Sequence, residues 1–302
     1  MNASGGGAAR PARLAVGVVS AGRVGSVLGN ALAGAGHQII GASGVSRASV
    51  RRAAVLLPDV PLEPPDQVVE RSDLVLLAVP DDVLPGLVRG LATAGCFRPG
   101  QIVVHTSGAH GVAVLEPAVE HGILPLALHP VMTFTGRKED VQRLAACSVG
   151  VTAARDDEAA WSVGEALVVE MGAEPVRVPE EVRPLYHAAL AHGANHLITL
   201  VRDCVDVLER AGVQPAERLI APLLSAALDN ALRHGDRALT GPVARGDVGT
   251  LRKHLRELGE HAPEVTASYR ALAERTAQRA RAAGLLRQHD AQEVHTALED
   301  TP

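Results

Sequence analysis

The sequence is poor in aromatic residues, which make up only 2% of its 302 positions. Its cores must therefore be built from Ala, Val and Leu, and a hydrophobic fraction of 47% is large enough for this. There is no excess of basic residues. The net charge is -5 at pH 7 and the pI is near 6.2, which argues against a nucleic-acid-binding surface. No apolar run approaches the roughly 18 residues that a membrane span requires.

Cysteines are few and scattered along the chain. Cys96, Cys147 and Cys204 are far apart and odd in number, which predicts free thiols in a reducing compartment. The opening stretch is rich in Gly and Ala and lacks the apolar core of a secretory signal, so we interpret residues 1–12 as a disordered tail. Together these features predict a cytoplasmic protein.

The first half of the chain alternates short apolar runs with helical segments. Strands are expected at residues 14–19, 38–42, 74–79, 102–104 and 174–178. Short strands of this kind, separated by helices, indicate βαβ units and a parallel sheet that is covered on both faces. The predicted fold class is therefore α/β, with a Rossmann-type parallel sheet domain over residues 13–179.

Strand signals end after about Pro184, and the rest of the chain is rich in Ala and Leu with helical periodicity. Helices are expected at residues 183–211, 215–234, 247–260 and 263–283. We interpret residues 180–290 as an all-helical C-terminal domain. The polar residues 291–302 are expected to form a frayed tail.

A glycine-rich segment follows the first predicted strand and opens the first helix, running from Gly17 to Gly25. This is the setting of a dinucleotide fingerprint, in which small residues let the backbone approach the pyrophosphate at a helix N-terminus. Serine replaces the first glycine of the motif, and its hydroxyl could donate to a phosphate oxygen. A plain glycine-rich turn is the alternative. The predicted cofactor contacts in this loop are Ser20, Ala21, Gly22, Arg23 and Val24.

The end of the second strand indicates which dinucleotide binds. A site that prefers NAD carries Asp or Glu about 20 residues beyond the glycine motif, and no carboxylate stands there. Ser43, Ser46 and Arg47 could instead bind a 2′-phosphate, for which an arginine fork is well suited. The alternative is an ordinary basic helix start. The sequence therefore predicts NADP(H).

From Asp73 to Asp82 the chain resembles the superfamily of β-hydroxyacid dehydrogenases and pyrroline-5-carboxylate reductases, in which a strand ending in Val-Pro lies beside the nicotinamide. Further motifs narrow this resemblance to Rossmann-like proteins with a DUF2520 domain, some of which are associated with ketopantoate reduction. The resemblance implies a helical, dimeric second domain and an active site in the cleft between the domains. The narrowing motifs lie at residues 105–109, 128–134, 183–189, 194–196 and 240–247.

Two strand ends then become candidate sites, because ligands of parallel sheets bind beyond the carboxyl ends of the strands. Val79, Pro80 and Thr106 are predicted to contact the cofactor. Ser107 could donate to a substrate carboxylate, although a polar turn is the alternative.

Relatives in this superfamily use a lysine four residues before an asparagine on the long interdomain helix. Asn195 matches that asparagine, but Ala191 stands in the place of the lysine. His187 lies two helical turns before Asn195 on nearly the same face, and we favour it as proton donor with Asn195 orienting the substrate. His196 projects about 100° away and is a candidate substrate contact. Each histidine could instead serve packing within the helical interface.

Two more candidates lie in loops. His129 is expected in a loop that follows a strand of the sheet, as a further proton donor or as a loop cap. Arg245 could hold a substrate carboxylate, or lie free at the surface, while Asp247 is expected to be a helix N-cap. Tyr186 and Trp161 are expected to serve packing. No metal site is expected, because the pair formed by His192 and His196 lacks a third ligand.

The leading interpretation is an NADPH-dependent reductase of a small 2-keto acid, with ketopantoate as the candidate substrate. The first alternative is an imine reductase of the proline-forming type, whose protonated substrate needs no strong proton donor. The second is a catalytically silent NADP(H)-binding sensor, which would account for the missing lysine.

Overall fold

The computed structural model describes residues 13–300, so the tail expected at residues 1–12 lies outside the described residues. The chain divides into two compact units, the first ending at His192 and the second beginning at Gly193. The sequence placed this boundary between residues 179 and 180. The difference arises because the long helix α8, Arg183–Arg210, has its first turns anchored in the first unit through the buried Arg183.

The first unit contains one seven-stranded sheet. The spatial order of its strands is β2-β1-β3-β4-β5-β6-β7, and all neighbours are parallel except β5 and β6. The predicted Rossmann-type parallel sheet is confirmed, whereas the reversal of direction at β6 was not anticipated. The strands are β1 Ala15–Val19, β2 Gln38–Ala42, β3 Leu74–Leu77, β4 Ile102–His105, β5 Leu124–Pro130, β6 Ser148–Thr152 and β7 Glu174–Arg177.

Helices cover both faces of this sheet. One core contains Leu28, Leu126 and Trp161, and the other contains Leu84 and Phe97. Trp161 serves packing, as the sequence indicated, and its indole N–H donates to a backbone carbonyl. The helices of this unit are α1 Arg23–Gly34, α2 Arg47–Leu56, α3 Pro65–Arg71, α4 Leu84–Thr93, α5 Glu116–Val119, α6 Glu139–Leu144 and α7 Glu158–Glu170.

The topology brings several predicted site residues to one edge of the sheet. Strands β1, β3, β4 and β5 are parallel neighbours or near neighbours, so their carboxyl ends share that edge. The nucleotide loop leaves β1 there. Val79 and Pro80 follow β3, and Thr106 follows β4. This edge is where ligands of open α/β sheets bind.

The second unit is helical, and the four helices predicted from periodicity are present to within two residues. A small core between α11, α12 and α13 contains Leu251, Leu255 and Ala277. The helices are α9 Ala216–His234, α10 Gly241–Arg245, α11 Val248–His261, α12 Pro263–Ala282 and α13 Gln288–Asp300, together with the second part of α8. Among the described residues, no helix is long and apolar enough to cross a membrane.

The expectation of a frayed tail at residues 291–302 is wrong over its described part. Residues up to Asp300 belong to α13, which buries Val294, Ala297 and Leu298. Spacings of three and four residues place these side chains on one helix face. The signal was present in the sequence, but the polar residues around it concealed it.

Candidate functional site

The loop between β1 and α1 turns sharply at Ser20, which has a φ of 77°. This left-handed conformation costs an L residue about 1–2 kcal/mol, which explains why a glycine is usual at this position. Ser43 holds the loop in place. Its hydroxyl accepts from the Ser20 N–H at 2.8 Å, and its carbonyl accepts from the Ala21 N–H at 2.6 Å.

The other two glycines of the motif have the roles that a dinucleotide loop requires. A Cβ on Gly25 would lie 2.2 Å from the Ser20 carbonyl oxygen and 3.0 Å from the Ala78 Cβ, so only glycine lets α1 lie this close to the sheet. Gly22 is the N-cap of α1, and of the residues that the structure describes only Ser20 would lie within 4 Å of a Cβ placed there. The backbone at Gly22 is therefore open to a pyrophosphate at the helix N-terminus.

The three residues predicted to bind a 2′-phosphate differ in what surrounds them. The Ser43 hydroxyl is buried and engaged with the nucleotide loop. Ser46 is the N-cap of α2, where its hydroxyl accepts from the Ser49 N–H at 3.0 Å. Arg47 is exposed and makes no ion pair in the described part of the chain. This segment can therefore serve both as the start of a helix, through Ser46, and as a ligand of a phosphate, through Arg47.

Further arginines lie close to the nucleotide loop. A Cβ on Gly136 would lie 2.4 Å from the Arg52 Nε and 3.0 Å from the Arg23 Cγ, so both arginines contact the loop after β5. Neither of them has an ion-pair partner within residues 13–300. Unpaired guanidinium groups around a phosphate-binding loop provide positive charge that suits the phosphates of NADP(H).

The segment after β4 is fixed by hydrogen bonds rather than free to move. Ser107 is buried, and its hydroxyl accepts from the His110 N–H at 3.0 Å. His105 is fully buried and its Nε2 is bonded to the Gly111 carbonyl at 2.9 Å. The Glu180 carboxylate accepts from the Val112 N–H at 2.6 Å. The buried Ser107 side chain therefore stabilises its own loop, and its predicted contact with a substrate carboxylate stays a prediction.

His129 lies within strand β5, not in the loop beyond it as the sequence indicated. It pairs with Gly150 of the antiparallel strand β6. Its Nδ1 is hydrogen-bonded to the Tyr186 hydroxyl at 2.8 Å, and its ring meets those of Tyr186 and His187 edge-on, with centroids 5.7 and 6.1 Å apart. Two predicted catalytic residues, His129 and His187, are thus neighbours.

Two glycines leave space for the ring cluster, which consists of His129, Tyr186 and His187. A Cβ on Gly108 would lie 2.7 Å from the His187 Cδ2 and 2.8 Å from the His129 Nε2. A Cβ on Gly150 would lie 2.7 Å from the Tyr186 hydroxyl. The loop after β4, strand β5 and the first turn of α8 therefore meet at these three ring side chains.

Sequence reasoning missed Tyr186, which we expected to serve packing. The residue is half-buried and hydrogen-bonded to His129, so it belongs to the candidate site. Its position next to His187 and three residues after Arg183, on one face of a helix N-terminus, was the signal that could have indicated it.

Burial sets the protonation of the cluster. It lowers the pKa of His129 to about 4, with the Arg183 charge and His187 acting in the same direction. It also lowers the pKa of His105 to about 3. Burial raises the pKa of Tyr186, while the Arg183 charge opposes that rise. At neutral pH, His129 and Tyr186 are therefore both uncharged and form a hydrogen-bonded pair that can transmit a proton.

The remaining predicted residues belong to the second unit. Asn195 and His196 are exposed on α8, and Arg245 is the exposed last residue of α10. Their roles toward a substrate stay predictions. Asp247 is the N-cap of α11, as predicted, and accepts from the Thr250 N–H at 3.1 Å. Within residues 13–300, no three His, Cys, Asp or Glu side chains are grouped so as to hold a metal ion.

Two known protein families match this chain, one in each half. The Rossmann-like domain family matches residues 1–130, and the DUF2520 family, a domain of unknown function, matches residues 147–276. No curated protein sequence matches the chain.

Solved structures share the whole fold. A Bacteroides fragilis protein assigned as an NADP oxidoreductase has a TM-score of 0.72 at 19% identity, over 88% of this chain and 98% of its own. The Streptomyces aurantiacus imine reductase has a TM-score of 0.64 at 17% identity, over 95% and 100%. The Myxococcus stipitatus imine reductase in complex with NADP+ has a TM-score of 0.62 at 18% identity, over 89% and 93%.

The fold of NAD(P)-dependent oxidoreductases is thus combined with a dinucleotide loop whose geometry and charge fit NADP(H). The resemblance to the superfamily of β-hydroxyacid dehydrogenases and pyrroline-5-carboxylate reductases agrees with these matches. The chain belongs to the Rossmann-like proteins that carry a DUF2520 domain.

Proposed function

We propose that this protein is an NADPH-dependent reductase of a small 2-keto acid, with ketopantoate as the candidate substrate. The observation that carries the proposal is the cluster of His129, Tyr186 and His187, on the sheet edge that also bears the nucleotide loop. Reduction of a ketone needs a hydride and then a proton on the new alkoxide oxygen. A proton source at the carboxyl end of β5 supports this chemistry.

Different residues around the nucleotide loop would bind different phosphates of the cofactor. Gly22 and the α1 N-terminus would hold the pyrophosphate, and Arg47 would contact the 2′-phosphate. Bound NADPH supplies the hydride, and the structural neighbour in complex with NADP+ supports this choice of cofactor. In other members of the superfamily a lysine donates the proton, and this chain has Ala191 in its place. The cluster would donate the proton instead, because either histidine or the tyrosine hydroxyl can do so.

A second candidate function is imine reduction. Two of the structural neighbours named above are imine reductases. A protonated imine becomes an amine on hydride transfer alone, so its reduction would not depend on the cluster. The two functions therefore differ in how they respond to loss of the Tyr186 hydroxyl.

The experiment follows NADPH oxidation with ketopantoate and with pyrroline-5-carboxylate. For ketopantoate we expect Tyr186→Phe and His129→Gln to lower turnover by about 100-fold or more, the usual contribution of a general acid. Tyr269→Phe is the matched control, because Tyr269 forms the same kind of bond with His254 at 2.8 Å in the second unit. His187→Ala tests the residue that the sequence favoured, and an unchanged rate would remove it from the proton transfer.

The outcomes separate the proposals. Turnover of the imine alone, insensitive to Tyr186→Phe, would establish the second candidate function in place of the first. Tight NADPH binding with neither substrate reduced would favour the silent sensor that the missing lysine first suggested.

A homodimer is part of the same proposal, and the second unit supports it. Helix α9 has 19 residues, of which only Ala216 is buried. Leu223 is 68% exposed and Leu232 is 80% exposed. The same unit contains an apolar groove of about 760 Å³ between α8, α9, α11 and α12. An exposed apolar helix beside an apolar groove is typical of an interaction surface, and a second copy offers the matching apolar helix.

A further inference from the structure

The side chain of Arg183 is the largest fully buried one in the first unit, with an exposure of 0%. It forms no ion pair with any Asp or Glu in the described part of the chain. Its Nη1 donates to the Thr152 hydroxyl at 2.8 Å and its Nη2 to the Ser107 carbonyl at 2.9 Å, while its Nε has no hydrogen-bond partner among residues 13–300. Burying an unpaired charge in this way costs several kcal/mol in real proteins, so the arrangement calls for a compensating role.

Three groups favour the charged form of Arg183: Tyr186, which acts most strongly, and the carboxylates of Glu180 and Asp81. The Arg183 guanidinium carbon lies 5.9 Å from the centroid of the Tyr186 ring. The other titratable groups that act on Tyr186 are His129 of β5, to which it is bonded, and Cys147 just before β6. Of these, only Arg183 carries a permanent positive charge, so it alone would stabilise a negative charge on the tyrosine oxygen.

We propose that Arg183 is a positioning residue, a buried cation that stabilises the tyrosinate form of Tyr186, so that Tyr186 can release its proton through His129. This inference rests on the proposed function for its place in a reaction. The physical property that it assigns to Tyr186 exists without any substrate, and can be measured in the free protein.

The proton balance follows from the hydrogen bond. In the tautomer that fits, the Tyr186 hydroxyl donates to Nδ1 of His129, and Nε2 of His129 carries the other ring proton. This Nε2 has no hydrogen-bond partner within residues 13–300 and faces the space that a side chain on Gly108 would fill. The substrate alkoxide takes the Nε2 proton, and Nδ1 takes the proton of Tyr186. A proton from solvent then returns to Nε2 while Nδ1 gives its proton back to the tyrosinate, which restores the starting tautomer. The hydride comes from NADPH.

The structure contains its own control for this property. Tyr269 on α12 is bonded to Nδ1 of His254 on α11 at 2.8 Å, with ring centroids 6.0 Å apart and nearly perpendicular planes. For both tyrosines, burial is the largest influence on the pKa and raises it. No arginine lies over the Tyr269 ring in the described part of the chain. The two pairs therefore differ in Arg183, which favours the tyrosinate form of Tyr186, and in Cys147, which disfavours it.

The experiment is an absorbance titration of tyrosinate near 295 nm, recorded after rapid pH jumps so that alkaline unfolding does not intervene. The sequence has only two tyrosines, so Tyr269→Phe leaves Tyr186 as the only reporter, and Tyr186→Phe leaves Tyr269. We expect Tyr186 to ionise about one pH unit or more below Tyr269, because a nearby cation favours the charged form. In the Tyr269→Phe background, Arg183→Met should raise the ionisation pH of Tyr186 and Arg183→Lys should largely restore it.

Ionisation of Tyr186 at or above the pH of Tyr269 would overturn the proposal, as would an unchanged titration in a folded Arg183→Met variant. Fluorescence of Trp161, the only tryptophan, reports whether the first unit has folded. If Arg183→Met does not fold, the comparison between the two tyrosines still decides. If Tyr186 ionises at a lower pH than Tyr269 but neither substrate is reduced, this inference stands and the proposed function is contradicted.

Discussion

Glycine at three positions decides where the side chains of the candidate site can lie. Gly25 lets α1 approach the sheet, while Gly108 and Gly150 leave room for the His187, His129 and Tyr186 side chains. A methyl group at any of the three would approach a neighbouring atom to less than 3 Å. Because protein interiors are close-packed, such a contact must displace either the backbone or the rings.

Arg47 is the residue on which the choice between NADPH and NADH depends in our proposal. Replacing it in Arg47→Gln removes a charged donor to the 2′-phosphate. A hydrogen bond to a charged group contributes about 1.5–3 kcal/mol, so we expect the Kd for NADPH to rise by roughly 10–100-fold. The Kd for NADH, which lacks that phosphate, should change little. Fluorescence titration with both cofactors measures the two values.

Arg89 on α4 provides the matched control for this prediction. It is also exposed and also lacks an ion pair in the part of the chain that the structure describes, but it does not follow β2. Arg89→Gln should leave both dissociation constants unchanged. Tighter binding of NADH than of NADPH by the unmodified protein would contradict the assignment of Arg47.

At the scale of elements, the start of α8 is anchored to the loop after β4. Glu180, in the turn just before the helix, accepts from the N–H groups of Val112 and Ala113. Arg183, in its first turn, donates to the Ser107 carbonyl. These contacts hold Tyr186 and His187 against β5, and place the rings of the cluster on rigid elements rather than on a free loop. Rigid support of this kind favours a reproducible geometry for proton transfer.

Helix α13 stabilises the second unit through its apolar face. Leu298 is 5% exposed and lies in the core with Leu251 and Leu255. We expect Leu298→Ala to lower the free energy of unfolding by roughly 2–4 kcal/mol, the usual cost of a cavity at a buried leucine. Urea denaturation at a fixed protein concentration measures the change.

Leu285, between α12 and α13, is the control because it is 44% exposed. Leu285→Ala should change the free energy of unfolding by no more than about 0.5 kcal/mol. Equal effects of the two substitutions would show that α13 does not contribute to the core as the structure indicates.

At the scale of the whole molecule, the features behind the proposed reaction and those behind the proposed homodimer lie in different units. The first unit holds the nucleotide loop and the ring cluster, both on elements of one sheet. The second holds the exposed apolar surface of α9 and the groove beside it. The chemistry is thus proposed for one unit and the association between copies for the other.

The proposed homodimer leads to a prediction for the intact protein. Light scattering coupled to gel filtration should give twice the chain mass of 31.3 kDa at micromolar concentration. Leu223→Glu places a charge in the centre of the exposed α9 surface, and burying an unpaired charge is strongly unfavourable, so this variant should be monomeric.

Val169 on α7 is exposed to a similar degree but belongs to the first unit. Val169→Glu should therefore leave the mass at that of the dimer. A monomeric mass for the unmodified protein would remove the homodimer from the proposal.

Local sequence patterns determined much of this fold. Strand β2 begins and ends at the predicted residues, and α8 extends to within one residue of its expected end. Such elements follow from short-range periodicity and from glycine at turns, which depend on neighbours in the chain. The nucleotide loop was predictable for the same reason, because its strand, turn and helix are consecutive.

Only the tertiary structure decided which side chains form the cluster. His129 and Tyr186 are 57 positions apart, and they meet because β6 runs antiparallel to β5 and offers Gly150 beside them. The sequence by itself determined that histidines and a tyrosine were present in family motifs, and that a lysine was missing. It did not determine that Tyr186 bonds to His129 beneath a buried Arg183, because hydrogen bonds and burial between distant segments depend on how those segments pack.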